Sequence, residues 1–255
     1  MEYFVDKGSI VRKIWGKADT ILLIFAGASA EFALNKAVDW LYFTGRLPAD
    51  PLGRLFSTVS YARVIVFSDL KTAHESIDKI SAIHSAVESN RGATIPEWAY
   101  RDVLFMLIDY SIRSYELLEQ KLTVDEKQEA FDVFYRMGIR MGLKGLPKNY
   151  LQFIPMRKEH LIQNLEKSNF TLDLYTQYQK HLGIIRYKLL IETQILIVPE
   201  KVNQLLNFGK MSLLSPVISL YKLCRMLNSD WILKSILFPP KYKLQIKALD
   251  KQPGI

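Results

Sequence analysis

The 255-residue chain has one cysteine, Cys224. A single thiol excludes an internal disulfide and any thiolate-held metal cluster, and it fits a reducing compartment. Long hydrophobic runs are also missing. The longest uncharged apolar stretch runs from Thr20 to Ala30 and is closed by Glu31, well short of the roughly 20 residues a membrane-spanning helix needs. The expectation there is a buried core helix. The opening residues, Met1-Glu2-Tyr3-Phe4-Val5-Asp6, lack the basic-then-apolar order of a signal peptide, so a cytoplasmic protein is expected. Neither Asn-Gly nor Asp-Gly occurs, and no strand-like alternation is sustained. The phosphate-binding loop, GxGxxG, HExxH and GxSxG signatures are all absent. No Gly/Ser-rich linker or solenoid-length repeat divides the chain. Its four histidines, His74, His84, His160 and His181, do not have zinc-site spacing.

What is present is helical periodicity, with 49% hydrophobic residues. The pattern predicts helices over 9–16, 19–43, 51–67, 71–89, 96–122, 124–142, 156–168, 171–182, 184–195, 200–208, 213–228 and 239–248. Asp50-Pro51 reads as an N-cap followed by proline at the first helical position. Thr123 and Glu126 read as a capping box, Pro96 as a first-turn residue, and Gly145 and Gly183 as stops. The expectation is an all-α protein, one compact multi-helix domain over 1–255.

Charge is unevenly distributed. Residues 1–135 hold fifteen basic and nineteen acidic residues, whereas 136–255 hold nineteen and seven. A basic C-terminal half suits an anionic partner or a solvated lysine surface. Trp231 to Phe238 followed by Lys241 and Lys243 joins apolar bulk to basic charge, as peripheral membrane segments do. Lys241-Tyr242-Lys243 and Arg186-Tyr187-Lys188 interleave charge with aromatics, but no nucleic-acid-binding motif accompanies them, so a nucleic-acid partner is not expected.

The most specific segment is Arg54-Leu55-Phe56-Ser57-Thr58, followed 26 residues later by His84. Arg54 and Thr58 are four apart and share a helix face, which Tyr61 continues. Ile77, Ile80, His84 and Val87 recur at steps of three and four, so His84 takes a slot normally given to a hydrocarbon. A lone imidazole there is either a hydrogen-bonded core residue or an axial iron ligand. Arg54 could pair with Asp50, and the Thr58 hydroxyl could bond back to its own helix. His160 and His181, among charged and polar residues, read as surface histidines, and His74 falls on another face.

This segment resembles the mpaB / latex-clearing-protein (rubber oxygenase) family. The likeness begins at Trp15-Gly16-Lys17-Ala18-Asp19 and Ile21 to Gly27. It continues through Ala49 to Leu55, Thr58, Val66-Phe67 and Ile83 to Val87. It returns more loosely at Tyr115-Glu116, Gly142 to Pro147 and Leu196 to Pro199. The resemblance implies an all-helical haem b protein with His84 as proximal iron ligand. Arg54 and Thr58 would line the distal side of a haem pocket between helices, and Tyr61 would join them because it continues their helix face. It implies an oxygenase using dioxygen on an apolar, isoprenoid-like small molecule, with Arg54 and Thr58 in catalytic roles. The alternatives are a non-enzymatic haem carrier or sensor and a haem-free, membrane-surface helical protein. The sequence departs from the family at two places. The lysine that precedes the threonine in latex-clearing proteins is Ser57 here, which leaves the distal side open. The family's proposed base aligns with Val38; Glu31 and Asp39 are the nearby substitutes, and Asp39 is turned about 100° from Val38 on a helix.

Overall fold

Capping chemistry sets most of the element boundaries. In the computed structural model, which describes residues 2–45, 49–226 and 249, Asp50 accepts a hydrogen bond from the Gly53 amide ahead of a helix that opens on Pro51. Asp69 does the same for the Thr72 amide, and Thr123 and Glu126 satisfy each other's backbone donors.

Among the described residues there are eleven helices and no strand, an all-α fold. They are α1 (Ile10–Trp15), α2 (Ala18–Leu34), α3 (Asp39–Phe43), α4 (Pro51–Phe67), α5 (Leu70–Arg91), α6 (Glu97–Leu118), α7 (Val124–Arg140), α8 (Tyr150–Gln163), α9 (Asn169–Ile197), α10 (Glu200–Leu206) and α11 (Ser215–Met226). None is long and apolar enough to cross a membrane. The expected helix at 239–248, the Trp231–Lys243 stretch and the chain end lie outside the described residues.

Helix α2 is the centre of the molecule. It is buried on nearly every side, as a helix apolar all round must be, and packs against α6 and α9. Gly27 permits the approach: a Cβ there would fall 2.3 Å from the Tyr110 ring of α6 and 3.0 Å from Ile197 of α9. Around it Ile21, Ile24, Phe105, Ile108 and Phe131 form the core with Trp15, whose indole N–H donates to Ser111 Oγ at 3.1 Å. An indole can be fully buried because its one donor is satisfied.

Three boundaries differ from the periodicity. The expected helix 19–43 is interrupted at Asn35, whose side-chain oxygen accepts from the Ala37 amide while its amide group donates to Asp102. A local polar bond has replaced the helical ladder there. Helix α8 starts at Tyr150, capped by Asn149, ahead of the expected 156, and carries Pro155 inside it, where the proline costs the helix one donor. Helices expected at 171–182 and 184–195 run together, bent at Gly183 with φ at +72°, a conformation glycine adopts without strain.

Candidate functional site

Helices α4 and α5 are joined by only Ser68 and Asp69 and pack on each other, so they run antiparallel as a helical hairpin. Measured from that turn, Arg54 is about fourteen residues up α4 and His84 about fifteen up α5. At about 1.5 Å per residue both stand roughly 22 Å from the turn. The 26-residue spacing is thus what places an arginine and a histidine at one level of the hairpin.

Both face a cavity of about 1030 Å³ enclosed mainly by α2, α4, α5, α6, α9 and α11, large for a small-molecule site. Its wall is overwhelmingly apolar, with Leu22, Phe32, Ile80, Leu107 and Leu189 among the contributors. Arg54, Thr58, Tyr61 and His84 all line it, so the four residues singled out in the sequence meet in one chamber. His84 is the only histidine among the lining residues. Ser57 also lines the cavity.

The Arg54 guanidinium donates from Nη1 to Thr58 Oγ1 at 2.9 Å, and the Thr58 hydroxyl donates to the Arg54 carbonyl at 3.1 Å. A hydroxyl has one proton, so Thr58 spends it on its own helix and offers its lone pair to Arg54. In this arrangement Thr58 orients the guanidinium. His84 is half-buried, and its Nδ1 is buried without a hydrogen-bond partner. Burial and then the positive charge of Arg54 lower its pKa from the ordinary histidine value, with Glu88 opposing them. The neutral imidazole, the form with a free lone pair, is therefore favoured. Glu88 is itself engaged, accepting from the Ile95 amide at 2.8 Å and the Tyr100 hydroxyl at 3.1 Å. Tyr100 sets its ring edge against His84 at 5.2 Å.

The two carboxylates weighed as a base do not face the chamber. Glu31 is 1% exposed, and Arg157 reaches its two oxygens at 2.5 and 2.6 Å. Tyr110 donates a further bond at 2.9 Å. Burial opposes the charge on Arg157, but Glu31 and Asp109 outweigh it and raise its pKa. Asp39 pairs with Arg91 at 2.6 Å. Neither carboxylate lines the cavity.

His160 corrects the sequence reading. It is buried, not on the surface, and its Nδ1 is bonded to Asp102, which also accepts from Asn35 at 2.9 Å and from Asn164. Of its polar neighbours in sequence, Asn164 joins this buried network and Arg157 is buried in an ion pair with Glu31, whereas Lys158, Glu159 and Gln163 are exposed. His181 is partly exposed, and His74 packs its ring against Phe4 and does not line the cavity.

Arg186 escaped the sequence reading as a site residue. It counted there as part of a basic-aromatic stretch, whereas it lines the cavity. No local signal marks it, because what brings it inward is the path of α9 past α2.

Among the described residues no group of three or more His, Cys, Asp or Glu side chains is arranged to hold a bare metal ion. His84 is the lining residue that could hold the metal of an organic cofactor. An unpartnered buried imidazole nitrogen in a large apolar chamber fits a haem. A family model described as "ER-bound oxygenase mpaB/B'/Rubber oxygenase, catalytic domain" matches residues 13–216. No curated protein matches the chain, and no solved structure does.

Proposed function

The chain belongs to the mpaB / rubber oxygenase catalytic-domain family, and from that premise we propose that it is a haem b-dependent oxygenase acting with dioxygen on an apolar, isoprenoid-like molecule. The observation that carries the reading is the unpartnered, buried Nδ1 of His84 on the wall of an apolar cavity whose other polar lining includes Arg54 and Thr58. Family membership supports an oxygenase; the cofactor, the substrate class and the residue roles are the proposal. Haem b is preferred to haem c because no Cys-x-x-Cys-His occurs.

When bound, haem b supplies the iron at which dioxygen is activated. His84 offers the neutral imidazole that holds it, kept deprotonated by burial and by Arg54. Arg54 places a fixed positive charge where negative charge develops, and Thr58 keeps the guanidinium in position. Tyr61 shapes the same wall. The apolar lining excludes water and accepts a hydrocarbon chain. With Glu31 and Asp39 held in ion pairs away from the chamber, the mechanism uses neither as a base.

The test is the absorption spectrum of the protein as purified or after haem addition, followed by oxygen uptake with an isoprenoid substrate. A Soret band with substrate-dependent oxygen consumption is expected. A chain that stays colourless with excess haem would overturn the proposal; a Soret band without oxygen consumption would leave a carrier or sensor.

A further inference from the structure

Among the described residues six buried side-chain nitrogens and oxygens lack a hydrogen-bond partner: Thr20 Oγ1, His84 Nδ1, Arg91 Nη1, Arg101 Nε, Ser114 Oγ and Arg186 Nε. Only His84 and Arg186 belong to residues that line the cavity. The other two arginines are engaged elsewhere on the guanidinium, Arg91 with Asp39 at 2.6 Å and Arg101 with the Lys144 carbonyl at 2.9 Å. Arg186 makes no hydrogen bond or ion pair among the described residues. A buried guanidinium nitrogen without an acceptor forfeits more than an ordinary hydrogen bond, so its idleness among the described residues calls for an explanation, and a ligand supplies one.

Its surroundings say what kind. Arg186 follows the Gly183 bend of α9 by three residues. Ile184 and Ile185 between them are 65% and 84% exposed, whereas Leu182, Leu189 and Leu190 line the cavity with Arg186. The guanidinium therefore stands where the apolar wall approaches solvent. The cavity's two acidic lining residues are already committed: Asp19 accepts from the Thr20 amide at 2.8 Å and from the Tyr221 hydroxyl at 3.1 Å, and Asp50 caps α4. Arg54, the other lining arginine, is bonded to Thr58. One idle, planar, permanently charged donor at the edge of an apolar chamber matches a single carboxylate on an otherwise apolar ligand.

We propose that Arg186 binds the carboxylate of the ligand that fills this cavity. The role rests on the proposed function insofar as that reading makes the cavity the substrate's chamber. Two sources of the carboxylate share this chemistry: the acid head of a long-chain substrate and the propionate of the cofactor.

Calorimetric titration of the full-length chain with dodecanoate and with 1-dodecanol tests the first source. The acid should bind at least about tenfold more tightly, the range expected for a hydrogen bond to a charged group. Arg186→Gln should abolish that preference while leaving the alcohol's affinity unchanged, which also shows that the variant is folded. Arg186→Lys should retain part of it, since charge survives but the fork does not. Titration with haemin and with haemin dimethyl ester tests the second source: a preference for the free acid that Arg186→Gln removes assigns the guanidinium to a propionate. If neither preference depends on Arg186, the proposal is overturned. An Arg186-dependent preference for dodecanoate in a chain that takes up no haem would overturn the oxygenase reading and leave this one standing.

Discussion

Two polar regions lie within the same helical body, and they differ in what their charges are bonded to. Between α2, α6 and α8, Glu31, Arg157, Asp109 and Tyr110 form one bonded cluster, and Asp102, His160, Asn35 and Asn164 form another. On the cavity wall, His84 Nδ1 and Arg186 Nε have no partner. Each region has one histidine, but the groups of the first neutralise one another. Breaking such pairs is costly, while forming them adds little over an apolar core, so that region holds helices in register. On the wall two nitrogens stay unpaired, and their unfilled valences mark where a ligand belongs. Unmet bonding capacity, and not polarity, separates a site from a staple.

The largest expected effect separates the two histidines. His84→Ala should abolish the haem spectrum altogether and leave the melting temperature of the haem-free chain nearly unchanged, because no protein hydrogen bond at Nδ1 is lost. His160→Ala should lower that temperature and keep the Soret position. A His84→Ala protein with an unaltered haem spectrum would falsify the assignment of the ligand.

Next comes the interior pair. Arg157→Met leaves Glu31 buried without its counter-ion and should cost about 3–5 kcal/mol in denaturant unfolding, a large share of the roughly 5–15 kcal/mol that holds a domain folded. Adding Glu31→Gln should recover much of the loss. A single variant as stable as the parent would mean that this cluster is not the staple described.

The smallest effect links charge on the wall to pH. His84 has a pKa below that of an unfolded histidine, so its contribution to stability is complete above about pH 6.5 and falls away as pH drops below it, where the unfolded chain takes up a proton that the folded one resists. In the proposed haem protein the same proton would compete with iron for the imidazole. Arg54→Gln removes one of the causes of the lowering and should move the midpoint of acid-induced haem release to higher pH, followed by the Soret band. A midpoint that is unmoved or shifts downward would show that Arg54 does not act on His84.

Local signals were read well where local physics rules. Asp50 with Pro51, and Thr123 with Glu126, set helix starts at the expected residues because a cap is settled within four positions. The Arg54–Thr58–Tyr61 face and His84 were legible because helix periodicity and a two-residue turn suffice to align them. His160 was misread because its partner, Asp102, comes from α6, 58 positions away in sequence. Polar neighbours in sequence look the same whether they meet water or one another. Asn35 was passed over as a breaker for the same reason, since the bond that ends α2 is made partly with a residue 67 positions away.

The sequence by itself determined that the chain is helical, that one histidine sits on an apolar stripe, and that an arginine and a threonine share a face at the family's spacing. Each of these follows from the 3.6-residue repeat and from caps, which act over one or two turns. Only the tertiary structure decided which charges are spent and which are idle. Whether Glu31 faces the chamber or Arg157, and whether Arg186 meets solvent or the cavity, depends on how α2, α6, α8 and α9 pack. A charge's partner is chosen by distance in space, over a few ångströms, and the chain order of those helices does not contain that distance.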